Sequence, residues 1–567
     1  MKIDLILKNA RLVNVLSGEI EENATIAIAG QRIAGIGPKY EAENVVDLEG
    51  CYVYPALIDA HIHLESTKLT VREAARVLAG FGTGSVVTDP HEIANVCGMD
   101  GIDFQMQCGR TNGFINVYFT APSCVPALKD PAIETFANDL GPDALKKLLD
   151  EHDVIALGEM MNVPGIMMHD PEVMQKIKDF IDHNRTIDGH APMVLGQTLQ
   201  RCIFEGVDSD HESTCADEAL EKLRRGIHIM IREGSSERNL DALLHIVNEF
   251  NAANFSFASD DLDPTDLLSR GHINHLVSRA VKAGMNPVRA LQLATINPAR
   301  HFHLDRAVGA IRPGLFADLV VAPDLVSFIP KDVMHHGQFV IKNQQEVPQP
   351  EPPRPCLAPA MRVALPNVSE LAIPNVPGKK AHALSLVPGQ ILTNDILFYP
   401  RVHDGFALPD PAQNIAKVCV FERHKTSGAF GKAFVHGFGM KHGAMGSSVG
   451  HDSHNIVVVG MNDADIMHVA QIIRDMNGGQ AACLGDDVEC LPLPIAGLMS
   501  DRTAKDVVDA EKRLDDFCAH ALGVSLPRPM AALSFISLPV IPNIRITDQG
   551  LFRIDPGAYP VKIDVFD

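Results

Sequence analysis

His61-Ile62-His63 puts two imidazoles two residues apart at the end of an apolar run, IDAHIH at 58–63. In a strand, residues i and i+2 share a face, so both rings point the same way. Alone the pair is weak, because surface or hydrogen-bonded histidines have the same spacing. Four more residues strengthen it, each at the end of a strand-like run. They are Glu159 in VIALGEMMN (154–162), His190 in DGHAP (188–192), His211 in GVDSDHE (206–212) and Asp260 in FSFASDD (255–261). Four imidazoles and two carboxylates meeting at one place suit a pair of divalent cations, which supply Lewis acidity and a nucleophilic water near neutral pH. Without a cation, burying those carboxylates would be costly. Imidazole and carboxylate without thiolate suit iron(II), manganese(II) or zinc.

The elements that must position these residues follow a regular plan. The runs SVVTDPHE (85–92), INVYFTAPS (115–123) and IHIMIREGS (227–235) bring the number of strand-like segments to eight. Helical stretches such as VREAARVLAG and ADEALEKLRR lie between most of them. Eight β–α alternations over 55–305 predict an α/β fold, a (β/α)₈ TIM-like barrel whose active site lies at the carboxyl ends of the strands. Residues 1–54 read as short strands, and strand-like patterning returns over 306–347. Together they are expected to form a composite β-sandwich. PQPEPPRP opens a proline-rich linker at 348–357, and 358–567 reads as a separate C-terminal α/β domain.

Composition narrows the partners. A chain of 567 residues needs two or three domains. A net charge of −22 repels phosphate backbones and anionic lipid heads, so neither nucleic acid nor a membrane surface is expected as a partner. An uncharged small molecule is not excluded. The 11 cysteines include no CxxC pair, and Asp4 sits where a secretory signal would be basic and then apolar, which points to a cytoplasmic protein. No apolar run is long enough to span a bilayer. A homo-oligomer, a dimer, is expected. Cys97 and Cys124 read as buried thiols, with no activating base near them in sequence.

The ordered set of ligand candidates resembles the amidohydrolase superfamily: HxH on strand 1, a bridging group on strand 4, histidines on strands 5 and 6, and aspartate on strand 8. TINPARHFHLDRAVGAIRPGLFADLVV (295–321) resembles that superfamily's exit from its barrel. Glu159 stands where the superfamily commonly has a carboxylated lysine, and this departure matches the adenine deaminase family. Further strings are similar to that family: IDAHIHLEST, TDPHEIANVCG, PSCVPAL, GEMMNVPGI, SDDLDPTDLLSRGHINHLV, GSSVGHDSHNIVVVG and LPLPIAGLMSD. The similarity runs along nearly the whole chain.

The resemblance implies hydrolytic deamination of adenine to hypoxanthine and ammonia in purine salvage, by a metal-activated hydroxide attacking C6. It implies two divalent ions, manganese or iron ahead of zinc. Glu159 would bridge them, His61 and His63 would hold one, and His190 and His211 the other. Asp260 would ligate a metal and accept the water's proton. The alternative is an amidohydrolase acting on another cyclic amidine or amide, such as guanine, a hydantoin or an imidazolone, because one barrel hosts many reactions.

Secondary candidates surround this set. His91 and Glu92 end the second run and would touch substrate or a ligand, or else belong to a turn started by Pro90. Arg232, Glu233 and Ser235 end the seventh, where a base-reading group would sit. Glu233 would accept a hydrogen bond from a purine N–H or shuttle protons. Asp261 is a substrate contact, an outer carboxylate or a solvated loop residue, since only one of Asp260 and Asp261 can face inward without a bulge, and Asp260 is the one expected to do so. His451 and His454 in GHDSHN read as a metal pair, a loop closing on substrate or a structural turn, and Gly450 favours a loop over a helix.

Overall fold

The structure, a computed structural model, describes residues 2–151, 154–353, 355–387, 390–555 and 559–567. Arg354 of the proline-rich stretch lies outside them. The chain divides into two compact units. One comprises residues 1–90, 105–123 and 141–355, and the other 91–104, 124–140 and 356–567. The region expected as one barrel segment, 55–305, thus gives two stretches, His91–Phe104 and Cys124–Leu140, to the second unit.

In the first unit, β1 (Leu5–Asn14), β2 (Glu19–Ala29), β3 (Arg32–Ile36), β4 (Val45–Asp47) and β5 (Tyr52–Pro55) open the chain. Eight strands follow: β6 (Leu57–Ile62), β7 (Thr83–Thr88), β8 (Asn116–Ala121), β9 (Ala156–Met160), β10 (Thr186–Gly189), β11 (Ser209–Asp210), β12 (His228–Arg232) and β13 (Phe255–Ala258). β14 (Leu319–Ala322), β15 (Asp332–His335), β16 (Gln338–Lys342) and β17 (Gln345–Glu346) complete the unit.

The first five and last four strands form one sheet in the order β17-β16-β15-β14-β5-β1-β2-β3, with β4 beside β1. The join is antiparallel, with Val320 opposite Tyr54 and Val321 opposite Val53. Leu12, Ile26, Ile28, Val53, Leu319 and Val321 alternate along these strands and fill a common apolar layer.

β6 to β10 lie side by side as one parallel arc, and β11 to β13 form a second. Every residue of β6, β7, β9, β10, β12 and β13 is buried, as expected for parallel strands covered on both faces. Backbone hydrogen bonds tie the arcs at both ends. Asp208 N donates to Ile187 O at 3.0 Å, and Asp260 N donates to His61 O at 2.9 Å. The helix Val71–Gly80 is typical of the cover: Val71, Ala74, Ala75 and Leu78 bury one stripe, and the Thr70 side chain caps it by accepting from Glu73 N.

Two sequence expectations change here. The run through His91 and Glu92 is not strand to its end. β7 stops at Thr88, and Pro90, with no N–H to continue a ladder, precedes the helix His91–Thr111. Cys124 is buried as expected, but Cys97 is only half-buried. Burial still pushes the Cys97 thiol up to about 11, so it is unreactive at neutral pH.

The second unit holds an eight-stranded sheet, mostly antiparallel, with Ile415–Phe421 and Ile456–Gly460 near its middle. These two central strands are apolar on both faces. Val457 and Val459 pack into one core, and Ile456 and Val458 into the other, with the helix Asp463–Asp475. No disulfide occurs among the described residues. None of the described helices is long and apolar enough to cross a membrane.

Candidate active site

Five strand ends in the first unit bring six side chains together. His61 and His63 come from the end of β6, and Glu159 from β9. His190 follows β10, His211 follows β11, and Asp260 follows β13. Their donor atoms form overlapping groups: His61, His63 and Glu159; Glu159, His190 and His211; and His63, Asp260 and Asp261. Glu159 belongs to two of them. Its Oε1 lies 3.6 Å from His63 Nε2, and its Oε2 lies 2.8 Å from His190 Nδ1 and 3.2 Å from His211 Nε2.

Residues behind the ligands decide which ring nitrogen faces inward. His61 Nδ1 donates to Asp188 Oδ2 at 2.8 Å, and His63 Nδ1 donates to the backbone oxygen of Asp89 at 3.0 Å. With Nδ1 so engaged, each ring presents Nε2 to the centre, and the two Nε2 atoms are 3.2 Å apart. Burial opposes charge on both rings, but Asp188 raises His61, and Asp260 with Glu159 raises His63. Two imidazolium N–H groups at that distance repel, as two bare lone pairs would, and a metal ion taking both lone pairs removes the conflict. The donor set therefore fits divalent metal, and Asp188 and Asp89 are the outer groups that commonly orient metal-binding histidines.

The electrostatics match. Burial disfavours the charge on Glu159, yet His190 beside it, with His211 and His63, holds its carboxyl well below the usual range. Burial likewise opposes charge on His190, but Glu212 and Glu159 raise it to about 9. Asp260, also buried, is kept ionised chiefly by Arg232. The Arg232 guanidinium grips Glu212 with two hydrogen bonds, of 2.6 and 2.9 Å, and also donates to Asp260 Oδ2. The cluster thus already balances its carboxylates with positive charge, the office a divalent ion performs when bound.

Alternation alone would send Asp260 and Asp261 to opposite faces. Asp260 instead adopts a left-handed φ of 60°, and both carboxylates lie in one group with His63. Asp261 Oδ1 accepts from Ser66 Oγ, and Asp261 O accepts from Ser235 N at 2.8 Å. Ser235 Oγ is engaged by Asp263 N at 2.8 Å, so Ser235 fastens one loop to the next. Glu233 is held elsewhere: its Oε2 accepts from Arg279 Nη1 at 2.5 Å.

Sequence reasoning missed Asp188, Asp89, Glu212 and Glu237. Asp188 carried a signal, since it precedes His190 by two residues on one run, the same spacing as His61 and His63. Burial, followed by the nearby Asp261 charge, raises the Glu237 carboxyl to about 8.

His91, Glu92, His451 and His454 belong to the second unit. Glu92 is buried between imidazoles. His451 Nδ1 lies 2.5 Å from its Oε1, His454 Nε2 donates to its Oε2, and His91 Nε2 lies 3.3 Å from Oε1. Gly450 N donates to His454 Nδ1 at 3.2 Å, which puts the ring's proton on Nε2. His454 is therefore a hydrogen-bond donor to Glu92, and its inward nitrogen has no lone pair for a metal. Residues 451–453 form a turn, as Gly450 suggested.

Residues 52–340 match the amidohydrolase family, and residues 390–557 match the adenine deaminase C-terminal domain. An adenine deaminase of Desulfatibacillum aliphaticivorans is 42% identical over 97% of this chain and 96% of its own. Adenine deaminase of Methanothrix thermoacetophila is 42% identical over 98% of this chain and 96% of its own. That of Thermosipho africanus is 40% identical over 97% of this chain and 95% of its own.

Proposed function

Since the chain belongs to the adenine deaminase family of amidohydrolases, we infer that it hydrolyses adenine to hypoxanthine and ammonia at the histidine–carboxylate centre of its first unit. The observation that carries the assignment to this centre is Glu159, shared between two groups of metal donors. We read the two parallel arcs as one (β/α)₈ barrel, with the active site at the carboxyl ends of its strands. Residues 1–54 with 306–347 are its composite sandwich, 348–357 the linker and 358–567 the C-terminal domain. A dimer in the cytoplasm is part of the same proposal.

His61 and His63 would hold one divalent ion and His190 and His211 the other, with Glu159 common to both and Asp260 beside His63. Manganese or iron is the proposed metal. When bound, such a pair provides Lewis acidity that makes water a competent nucleophile near neutral pH. Asp260 receives one proton of the attacking water. It is suited to this because Arg232 keeps it ionised and Glu212 keeps Arg232 in place. The water oxygen bonds to C6 and the bond from C6 to the exocyclic nitrogen breaks. The amino group leaves as ammonia with the proton Asp260 took, and the second water proton ends on ring nitrogen N1. The buried outer groups Asp188 and Asp89 hold the ligand rings in register throughout.

The test is a substrate panel. Protein loaded with manganese under reducing conditions is given adenine, adenosine, guanine and a hydantoin, with ultraviolet absorbance and ammonia followed together. Conversion of adenine in preference to the others is expected. Turnover of another ring with none of adenine would keep a metal-dependent hydrolase and overturn the substrate.

A further inference from the structure

The loop after β12 carries a carboxyl that the reaction as derived does not use. Glu237 is half-buried, but its Oε2 is fully buried and has no hydrogen-bond partner among the described residues. An acceptor left this way costs about 1–3 kcal/mol unless something reaches it. Its charged neighbours are Asp261, Arg232, Asp260 and Glu212. Arg232 is the one cation among them; its Nη atoms serve Glu212 and Asp260, and its buried Nε makes no hydrogen bond to Glu237.

The backbone of this loop is tied down. Gly234 N donates to Glu237 O at 3.0 Å, and Glu233 pairs with Arg238 across the turn. Arg238 Nε and Nη2 bind Gly234 O at 3.1 Å and Ser235 O at 2.8 Å. A Cβ on Gly234 would lie 2.8 Å from Asp261 O and 2.9 Å from Ser259 O, so only glycine lets this loop lie against the one after β13. The backbone at Glu237 is thus fixed, and its carboxyl lies close enough to Asp261, Arg232 and Asp260 to feel their charge.

Adenine offers two kinds of hydrogen-bond donor. One is the 6-amino group, which must lie at the reacting carbon. The other is the N–H of the five-membered ring, at the far end of the base. We propose that Glu237 is a specificity-determining residue of this site, whose unpartnered oxygen accepts the imidazole-ring N–H of the free base and so selects against N9-substituted purines. The proposal rests on the adenine reading. A nucleoside or a 9-alkyl purine lacks that N–H in its N9–H form and leaves the buried oxygen without a donor, the situation in which a hydrogen-bonding site rejects an analogue most strongly.

The test uses metal-loaded full-length protein and binding as well as turnover. Adenine, hypoxanthine and 9-methyladenine are titrated calorimetrically into wild type, Glu237→Gln and Glu237→Leu, with metal content measured on each. Glu237→Leu should keep its metal and bind adenine and hypoxanthine about 10- to 100-fold more weakly. Its preference for adenine over 9-methyladenine should shrink by a similar factor, and in kinetics the loss should fall on KM more than kcat. Glu237→Gln, whose amide oxygen still accepts, should recover much of the preference. An unchanged preference in Glu237→Leu overturns the assignment, and so does loss of metal, which would make Glu237 a support of the metal centre. Wild type that binds adenine but does not turn it over would refute the reaction and leave this contact standing.

Discussion

Replacing Asp188 with asparagine tests how much of the centre's grip on metal comes from behind the ligands. Asp188 and His61 are almost wholly buried, with side-chain exposures of 0% and 1%, and they meet at 2.8 Å. A hydrogen bond to a charged group in such surroundings is worth about 1.5–3 kcal/mol. Outer residues of metal sites commonly contribute 10- to 100-fold in affinity, or about 1.4–2.7 kcal/mol, so the two figures agree. Asparagine keeps one acceptor oxygen but cannot serve every partner. Ser209 Oγ and Gly189 N both donate to Asp188 Oδ1, at 2.6 and 3.0 Å. If the amide oxygen faces His61, the amide NH₂ faces those two donors. If it turns round, His61 loses its acceptor and with it the tautomer that bares Nε2. The assay is chelator competition for manganese on stripped protein, with melting of the metal-free form as a control on folding. A dissociation constant about 10-fold or more weaker is expected, with turnover falling in parallel at limiting metal. Affinity within about threefold of wild type, in a protein that melts normally, would refute the view that Asp188 sets the His61 ring.

Other perturbations separate the remaining parts. Glu159→Gln should lower the metal bound per chain in elemental analysis, and full occupancy would contradict a shared ligand. Asp260→Asn should retain at least one metal and lose turnover, whereas retained turnover would remove Asp260 from the proton transfer. Stability should also fall in mild acid. His424 is buried, and burial, helped by Arg423, lowers it from the usual 6.5 to about 3. The folded state holds this ring neutral while the unfolded chain takes up a proton, so its contribution is complete above pH 6.5 and is lost as pH falls below it. The loss is up to about 1.4 kcal/mol per pH unit, and urea unfolding of wild type and His424→Gln at pH 6.5 and 5.0 should show a smaller drop in the variant. An equal drop would mean that His424 titrates normally.

What the sequence reveals here depends on how local the cause is. The meeting of His61, His63, Glu159, His190, His211 and Asp260 is legible because each ends an apolar run and parallel strands align their carboxyl ends. The nine-stranded sheet is legible for a similar reason, since β14 (LVVA) is a short apolar run like β5 (YVYP). Asp188 and Asp89 are harder to find, because their partners His61 and His63 lie on other strands and nothing local encodes the cross-strand distance. The pair Asp260–Asp261 defeats the two-residue period through one left-handed residue. Glu233 looks suitable by type and place, but it is claimed by Arg279, from the distant helix Ile273–Lys282. Glu92 reads as a strand end until Pro90 turns the chain into a helix, and its imidazole partners come from residues 451 and 454. Packing across such separations follows the whole fold and leaves no periodic trace.

The most direct test of the account is a metal titration of stripped protein in the presence of adenine. Manganese is added in increments under reducing conditions while adenine loss, hypoxanthine formation and ammonia release are followed together. Activity should be absent without metal, rise as metal is added and level off near two equivalents per chain, with ammonia matching hypoxanthine throughout. Full adenine turnover by metal-free protein, or metal-loaded protein that leaves adenine untouched, would contradict it.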